Sequence, residues 1–199
     1  MPSKVEYSQE DLGFQAAGFD WNDYIKYRPK YPPTFFDLLY KTQSENLNKF
    51  DTVNDVGAGG GIASEILATK FKKVIVSEPN KEYLTFAEAR LNSLKKFEKG
   101  KFEFLMEGGE RSSLADGSMD CITICEALHW ADVETSIKEF GRCLKSGGTL
   151  GIFHYSPPRI EDPDLAKMWR SVYNSAATRF RESEIYSRAY QNLLMGLEA

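Results

Sequence analysis

Four of the five residues from Gly57 to Gly61 are glycine, and they separate an apolar run ending at Val56 from a helix-like run beginning at Ile62. Glycines at a strand end allow a tight turn and let a ligand reach the backbone, while the first N–H groups of the next helix offer unpaired donors at its positive end. Such a loop serves to hold a nucleotide or a cofactor. A P-loop is excluded, because no Gly-Lys-Ser/Thr closes the stretch. The dinucleotide pattern G-x-G-x-x-G fails as well: counted from Gly57 its third glycine falls on Ile62, and counted from Gly59 it falls on Ser64. What stands is Asp55, Val56 and then G-x-G-x-G over Gly57, Ala58, Gly59, Gly60 and Gly61. A plain glycine-rich turn between strand and helix would read the same way. The second group lies 21 positions beyond Gly57, where Glu78 closes the run "VIVSE". In a β-α-β unit this is the place for a carboxylate that accepts the two hydroxyls of a ribose, through hydrogen bonds worth about 1.5–3 kcal/mol each. An exposed acid at a strand end is the alternative for Glu78 taken alone.

The two histidines, His129 and His154, both fall at or just beyond the ends of apolar runs, "MDCITICEA" and "TLGIFHY". His129 is a candidate for catalysis or acceptor binding, set against a structural role. For His154 the plainer reading is a strand-end imidazole bonded to a neighbour. Trp130 is either a wall of the site or core. Arg28 offers a planar fork that matches a carboxylate of cofactor or substrate, with surface exposure as its alternative. Three cysteines, Cys121, Cys125 and Cys143, include no C-x-x-C pair, so buried, reduced thiols are expected and no metal site.

The elements that must position these residues alternate. "DTVNDV", "KVIVSE", "FEFLM", "MDCITICEA" and "GTLGIFHY" read as strands, and helices are expected at about 61–70, 80–97 and 133–144. This alternation builds an α/β fold, a doubly wound, mostly parallel sheet with helices on both faces and its ligand site beyond the carboxyl ends of the strands. A length of 199 residues with 42% hydrophobic and 27% charged composition suits one domain. Its expected parts are an N-terminal helical cap over 1–48, a core over 49–156 and C-terminal helices over 157–199. The cap is rich in aromatics, Tyr24 among them, and carries "YRPKYPP", whose prolines fix an extended turn. A formal charge of -4 argues against a nucleic-acid partner, and no run approaches the roughly 20 apolar residues of a membrane span. A polar start without an apolar signal core completes the expectation of a cytoplasmic protein.

Taken in order, "DVGAGGG", "VIVSEPN", "ADGSMDCITICEALHWAD" and "EFGRCLKSGGTLGIFHY" resemble the seven-strand, Rossmann-like (class I) S-adenosylmethionine-dependent methyltransferases. With "YRPKYP", "EALHW" and "LGIFHYSPP", the chain is most similar to the trans-aconitate and cantharidin methyltransferase group, which acts on small carboxylic acids. The resemblance implies that Asp55, Gly57, Ala58 and Gly59 surround the amino-acid end of S-adenosylmethionine, and that Glu78, Pro79 and Asn80 hold its ribose and one adenine face. Gly108 and Gly109 stand where the family places an acidic residue and an alanine against adenine, with Glu110 as a substitute acid. Cys125 and Glu126 would pass the sulfonium side, and Tyr24, Arg28, His129 and Trp130 would face a small-molecule acceptor. A carboxylate acceptor is ionised at neutral pH and needs no base; a hydroxyl, amine or thiol would make His129 a base.

Family members have two further strands after the fifth, and nothing after Asp162 reads as a strand here. The expectation is a sheet of about five strands, with Leu165, Met168, Val172 and Ala176 on one face of a terminal helix. The exposed edge of the "TLGIFHY" strand would then be covered by the terminal helices, a second copy or a protein partner. A cofactor-binding pseudoenzyme acting through a partner is the second reading of the chain, and an NAD-type oxidoreductase the remote third.

Overall fold

The computed structural model describes residues 21–155, 160–169 and 171. Five strands, β1 (Thr52–Val56), β2 (Lys73–Ser77), β3 (Phe102–Leu105), β4 (Met119–Cys125) and β5 (Leu144–Phe153), form one sheet in the order β3-β2-β1-β4-β5. Every pairing is parallel, with Asp55 opposite Val76 on one side and Thr123 on the other. Helices α1 (Trp21–Tyr27) and α2 (Pro33–Asn46) precede the sheet, and α3 (Ile62–Leu67), α4 (Lys81–Asn92) and α5 (Val133–Cys143) connect its strands. The chain winds outward from β1 through β2 to β3, then crosses back to β4 and β5. The order therefore reverses between β1 and β4, and their carboxyl ends open the crevice in which this architecture binds ligands.

The five expected strands and the three helices expected around them are present, but the helices are shorter. Gly61 caps α3 at φ 76, a left-handed conformation that holds it outside the helix. At the far end of α4 the Ser93 hydroxyl bonds back to the Arg90 carbonyl at 2.7 Å, which diverts an acceptor the next turn would use. β5 begins four residues earlier than "GTLGIFHY", at Leu144, with an irregular register between Met119 and Cys121 on the neighbouring strand. Continuous apolar runs make sense here because both faces are covered. Val53, Leu67, Phe71, Val74 and Leu91 are among the core residues of one cluster, and Val56, Ile75, Ile122, Ile124 and Phe140 of the other. Helix α2 lies against β5 so closely that a Cβ on Gly151 would stand 2.7 Å from Leu39 Cδ1.

At the opposite end of the sheet, Asp120 ties three strand ends together. It is fully buried, and one carboxylate oxygen accepts the Asp51 and Thr52 N–H groups at 2.8 Å each while the other meets Lys145 Nζ at 2.6 Å. Removing one partner of a buried charged network leaves donors unpaired, at a cost of about 3–5 kcal/mol. Lys145 can reach water, so Asp120→Ala is expected near the lower end, about 3 kcal/mol, in urea unfolding. Because Asp120 stands far from the crevice, ligand affinity of the folded variant should be unchanged; an equal stability of variant and parent would remove Asp120 from this role.

Among the described residues, β5 pairs with β4 alone. A helical segment covers 163–169, with Leu165 and Met168 exposed. Val172, Ala176 and the remainder of the expected terminal helices lie outside the described residues, as does any covering of the β5 edge by them. The three cysteines are buried and free.

Candidate functional site

A cleft of about 170 Å3 opens at the reversal point between β1 and β4. The glycine turn forms its floor. Gly57, Gly59 and Gly61 all adopt positive φ, at 63, 54 and 76, which is why the sequence needs glycine there. Their surroundings differ. A Cβ on Gly57 would lie 2.5 Å from the Ala127 Cβ, one on Gly60 2.8 Å from Ile25 Cδ1, and one on Gly61 2.8 Å from Leu91 Cδ1, whereas one on Gly59 would meet nothing within 4 Å. Three glycines are spent on packing, and Gly59 leaves open space at the cleft.

Glu78 stands across from this turn with only 6% of its surface exposed. Its two oxygens accept the Gly59 N–H and the Asn80 N–H, each at 2.9 Å, so one side chain fixes the glycine turn against the start of α4. Burial pushes its carboxyl up to about 7, against the pull of those two N–H groups. Beneath the floor, Asp55 accepts the Ser64 hydroxyl at 2.6 Å and the Thr123 hydroxyl at 3.0 Å, and burial raises it to about 6. It is not part of the cleft wall: its carboxylate braces β1, β4 and α3 under the loop.

Of the residues expected at the site, Tyr24, Arg28, Gly57, Ala58, Gly59, Glu78, Pro79, Gly108, Gly109, Glu110, Cys125, Glu126 and Trp130 line the cleft. Asn80 instead caps α4, its side-chain oxygen accepting the Glu82 and Tyr83 N–H groups at 2.9 and 3.2 Å. Glu110 also holds the start of α5, accepting the Asp132 N–H at 3.0 Å. His129 sits behind Trp130 in a 3-10 turn over Leu128–Trp130, with ring centroids 5.0 Å apart. Burial, with the His154 and Arg28 charges, lowers its pKa to about 4. His129 is thus a neutral imidazole at physiological pH and too weak a base to match the role sketched from its ordinary pKa.

Sequence reasoning missed Tyr31, Tyr83, Ala127 and Ala131, which also line the cleft. Tyr31 was legible in principle, since it belongs to "YRPKYPP"; the alanines carry no chemical signal. From the N-terminal segment, Tyr24, Arg28 and Tyr31 line one edge of the cleft. Trp21 of α1 packs edge-on against Tyr83 of α4 at 4.2 Å, and Arg28 lies over the Tyr24 ring at 5.1 Å and the Tyr155 ring at 5.9 Å.

At the carboxyl ends of β4 and β5, Glu126 adopts φ 56 without being glycine. Its carboxylate approaches His154 Nδ1 at 3.1 Å and also accepts the Tyr155 N–H. Burial raises its pKa, opposed by the Tyr155 amide, His154 and Arg28.

Residues 54–152 match the family model of a methyltransferase domain. This core is a class I methyltransferase domain. Methyltransferase AacuQ of Aspergillus aculeatus is 31% identical over 172 residues, a span that covers 85% of this chain and 53% of that protein. Methyltransferase gedG of Aspergillus terreus is 33% identical, with 85% and 52% covered. The chain spans about half the length of these curated relatives. An S-adenosylmethionine-dependent methyltransferase from Clostridium acetobutylicum shares the fold, at a TM-score of 0.54 and 22% identity, over 65% of this chain and 52% of that one. No described helix of the methyltransferase domain is long and apolar enough to cross a membrane.

Proposed function

We propose that the domain binds S-adenosylmethionine in the cleft between β1 and β4 and methylates a small-molecule acceptor. The observation that carries this reading is the pairing of Gly59, whose missing side chain leaves open space, with the buried carboxylate of Glu78 directly bonded to it. The residues present fit the ligand. Each carboxylate oxygen of Glu78 has a second lone pair beyond the one used by the backbone, enough for the two ribose hydroxyls. The Arg28 guanidinium lines the cleft and has no carboxylate within ion-pair distance among the described residues, and its fork suits the ligand's own carboxylate or that of an acceptor.

When bound, S-adenosylmethionine supplies a methyl group already activated on a sulfonium, so the chain's task is alignment and exclusion of water. Tyr24 and Tyr31 from the N-terminal segment close one side of the cleft; Glu126, Ala127 and Trp130 form the side from which an acceptor would reach the methyl carbon. The names of the AacuQ and gedG methyltransferases state no acceptor, and the small carboxylic acids of the trans-aconitate and cantharidin group stand as one class to test.

Calorimetry and thermal melts with S-adenosylhomocysteine and with NADH decide the cofactor. At a concentration of 100 times Kd a ligand stabilises by about 2.7 kcal/mol, which in a chain of this size raises Tm by roughly 5–10 °C. That rise is expected with S-adenosylhomocysteine alone. A rise with NADH and none with S-adenosylhomocysteine would overturn the reading in favour of an oxidoreductase.

A further inference from the structure

We propose that Arg28 and Glu126 together read the amino-acid end of the cofactor, Arg28 taking its carboxylate and Glu126 its ammonium, so that the cleft selects a zwitterion and not a nucleoside alone. This rests on the cofactor reading above and adds to it the side chains that hold the end remote from the ribose. Among the described residues that line the cleft, Arg28 is the only cation, and the acids are Glu78, Glu110 and Glu126. Glu78 is engaged by the Gly59 and Asn80 N–H groups and is assigned above to the ribose. Glu110 holds the Asp132 N–H. One cation and one anion therefore remain for the charges of the ligand's other end.

Arg28 sits one helical turn beyond Tyr24, its N–H donating to the Tyr24 carbonyl at 2.9 Å. Its Nη1 donates to the Tyr24 hydroxyl, and Tyr31 takes a further part of the fork. These partners are neutral phenols, and a guanidinium carries five N–H donors. A half-buried cation whose protein partners are neutral gains from an incoming anion. The same two tyrosines fix its place along the cleft. Tyr24 stands within reach of the charges of both Glu78 and Arg28, while the Tyr31 hydroxyl donates to the Cys125 carbonyl, at the end of β4, at 3.4 Å. Arg28 is thus held between the ribose carboxylate and the end of β4, where the rest of a ligand anchored at Glu78 must run.

Glu126 is the first residue after β4, and its left-handed backbone at φ 56 is held by its own N–H, which donates to the Phe153 carbonyl at 2.8 Å. One carboxylate oxygen accepts the Tyr155 N–H and stands 3.1 Å from His154 Nδ1. The other accepts no hydrogen bond from a described residue, and the side chain is only 10% exposed. An oxygen so placed is poorly solvated and gains from a charged donor. The Arg28 and Glu126 charges act on each other, yet the two groups stand farther apart than an ion pair, because the tyrosines hold one and the start of the turn after β5 holds the other. In contact they would satisfy each other. Held apart, each with spare hydrogen-bonding capacity, they complement an α-amino acid, whose ammonium and carboxylate share one carbon. Fixing that end as well as the ribose sets the sulfonium between them, which is the alignment the reaction needs.

Four ligands sharing one nucleoside test this by calorimetry on the full chain: S-adenosylhomocysteine, its analogue without the carboxylate, its analogue without the amino group, and methylthioadenosine, which has neither. For the parent, loss of either group is expected to raise Kd at least about 10-fold, the lower end for a charge-assisted hydrogen bond. Arg28→Gln should weaken S-adenosylhomocysteine by a similar factor, yet bind the analogue without the carboxylate, and methylthioadenosine, as the parent does. Glu126→Gln keeps an acceptor for the Tyr155 N–H; it should weaken S-adenosylhomocysteine and leave the analogue without the amino group at the parent's affinity. A parent that binds all four ligands alike overturns the proposal without recourse to a variant. A variant that weakens methylthioadenosine as much as S-adenosylhomocysteine makes its residue a brace of the cleft and overturns its assignment, as does a variant with the parent's affinity for S-adenosylhomocysteine. A parent that binds neither S-adenosylhomocysteine nor methylthioadenosine is instead the failure of the cofactor reading, and the proposal falls with it.

Discussion

Glu78→Gln is expected to weaken S-adenosylhomocysteine binding and, in the same variant, to remove a large part of the pH dependence of stability above pH 5. For binding, the loss of a charge-assisted contact to the ribose diol is worth about 1.5–3 kcal/mol, or roughly 10- to 150-fold in Kd. For stability, the carboxyl loses its proton near 4.5 in the unfolded chain and near 7 in the folded protein. Between those values the folded state holds the extra proton. The contribution is therefore complete below about 4.5 and disappears as pH rises through about 7. At 1.36 kcal/mol for each tenfold change in proton affinity, the span corresponds to roughly 3 kcal/mol. Asp55, raised to about 6 by the same burial, adds to the slope in parent and variant alike. Urea midpoints at pH 5 and pH 8 should differ much more for the parent than for Glu78→Gln. Parallel slopes would show that Glu78 ionises freely in the folded protein, and unchanged calorimetric affinity would remove it from the binding site. The coupling has a simple physical origin: a carboxylate buried to meet a ligand's hydroxyls is costly to ionise until that ligand arrives.

Much of this arrangement was legible in residue types and spacing. The strands were visible because a covered sheet favours short apolar runs, clearest in β2 and β4 and interrupted in β1 by Asn54 and Asp55 and in β3 by Glu103. Glycines at fixed positions after β1 and an acid at the end of β2 were visible because backbone conformation and charge are written directly in residue identity. Asp55 shows where this ends. Adjacent to the loop in sequence, it looked like a ligand contact, yet the alternation of side chains along β1 turns it under the floor, where Ser64 and Thr123 hold it. Asn80 likewise reads as a cofactor contact and serves as a helix cap. His154 reads as a strand-end imidazole beside a neighbour, but local pattern could not say which neighbour. Its partner Glu126 is 28 residues away and reaches it only through a left-handed backbone turn at a position no sequence rule assigns to glutamate. Relations between strand ends depend on register, and register is not carried by local pattern.

The glycines of the loop separate folding from binding, and the second large effect tests that separation. Gly57→Ala should destabilise the protein severely, because its backbone is left-handed at φ 63 and its new Cβ would be forced to within 2.5 Å of the Ala127 Cβ. The left-handed conformation costs about 1–2 kcal/mol for a residue with a side chain, and the overlap roughly 1–3 kcal/mol more. Gly59→Val carries the conformational cost alone, since nothing lies within 4 Å of its new Cβ. It should remain folded with a loss of about 1–2 kcal/mol, yet its S-adenosylhomocysteine affinity should fall more than that of Glu78→Gln, because the branched side chain fills the space the ligand needs. Ala127→Gly supplies the control. Combined with Gly57→Ala it removes the opposing methyl and should recover the overlap part of the loss, leaving the conformational part. The two residues are in contact, so their effects should be non-additive by that amount, whereas Gly59→Val and Ala127→Gly should add. Full additivity of Gly57→Ala with Ala127→Gly in denaturant unfolding would mean that the loop does not rest on Ala127. Parent-like affinity in folded Gly59→Val would place the ligand elsewhere.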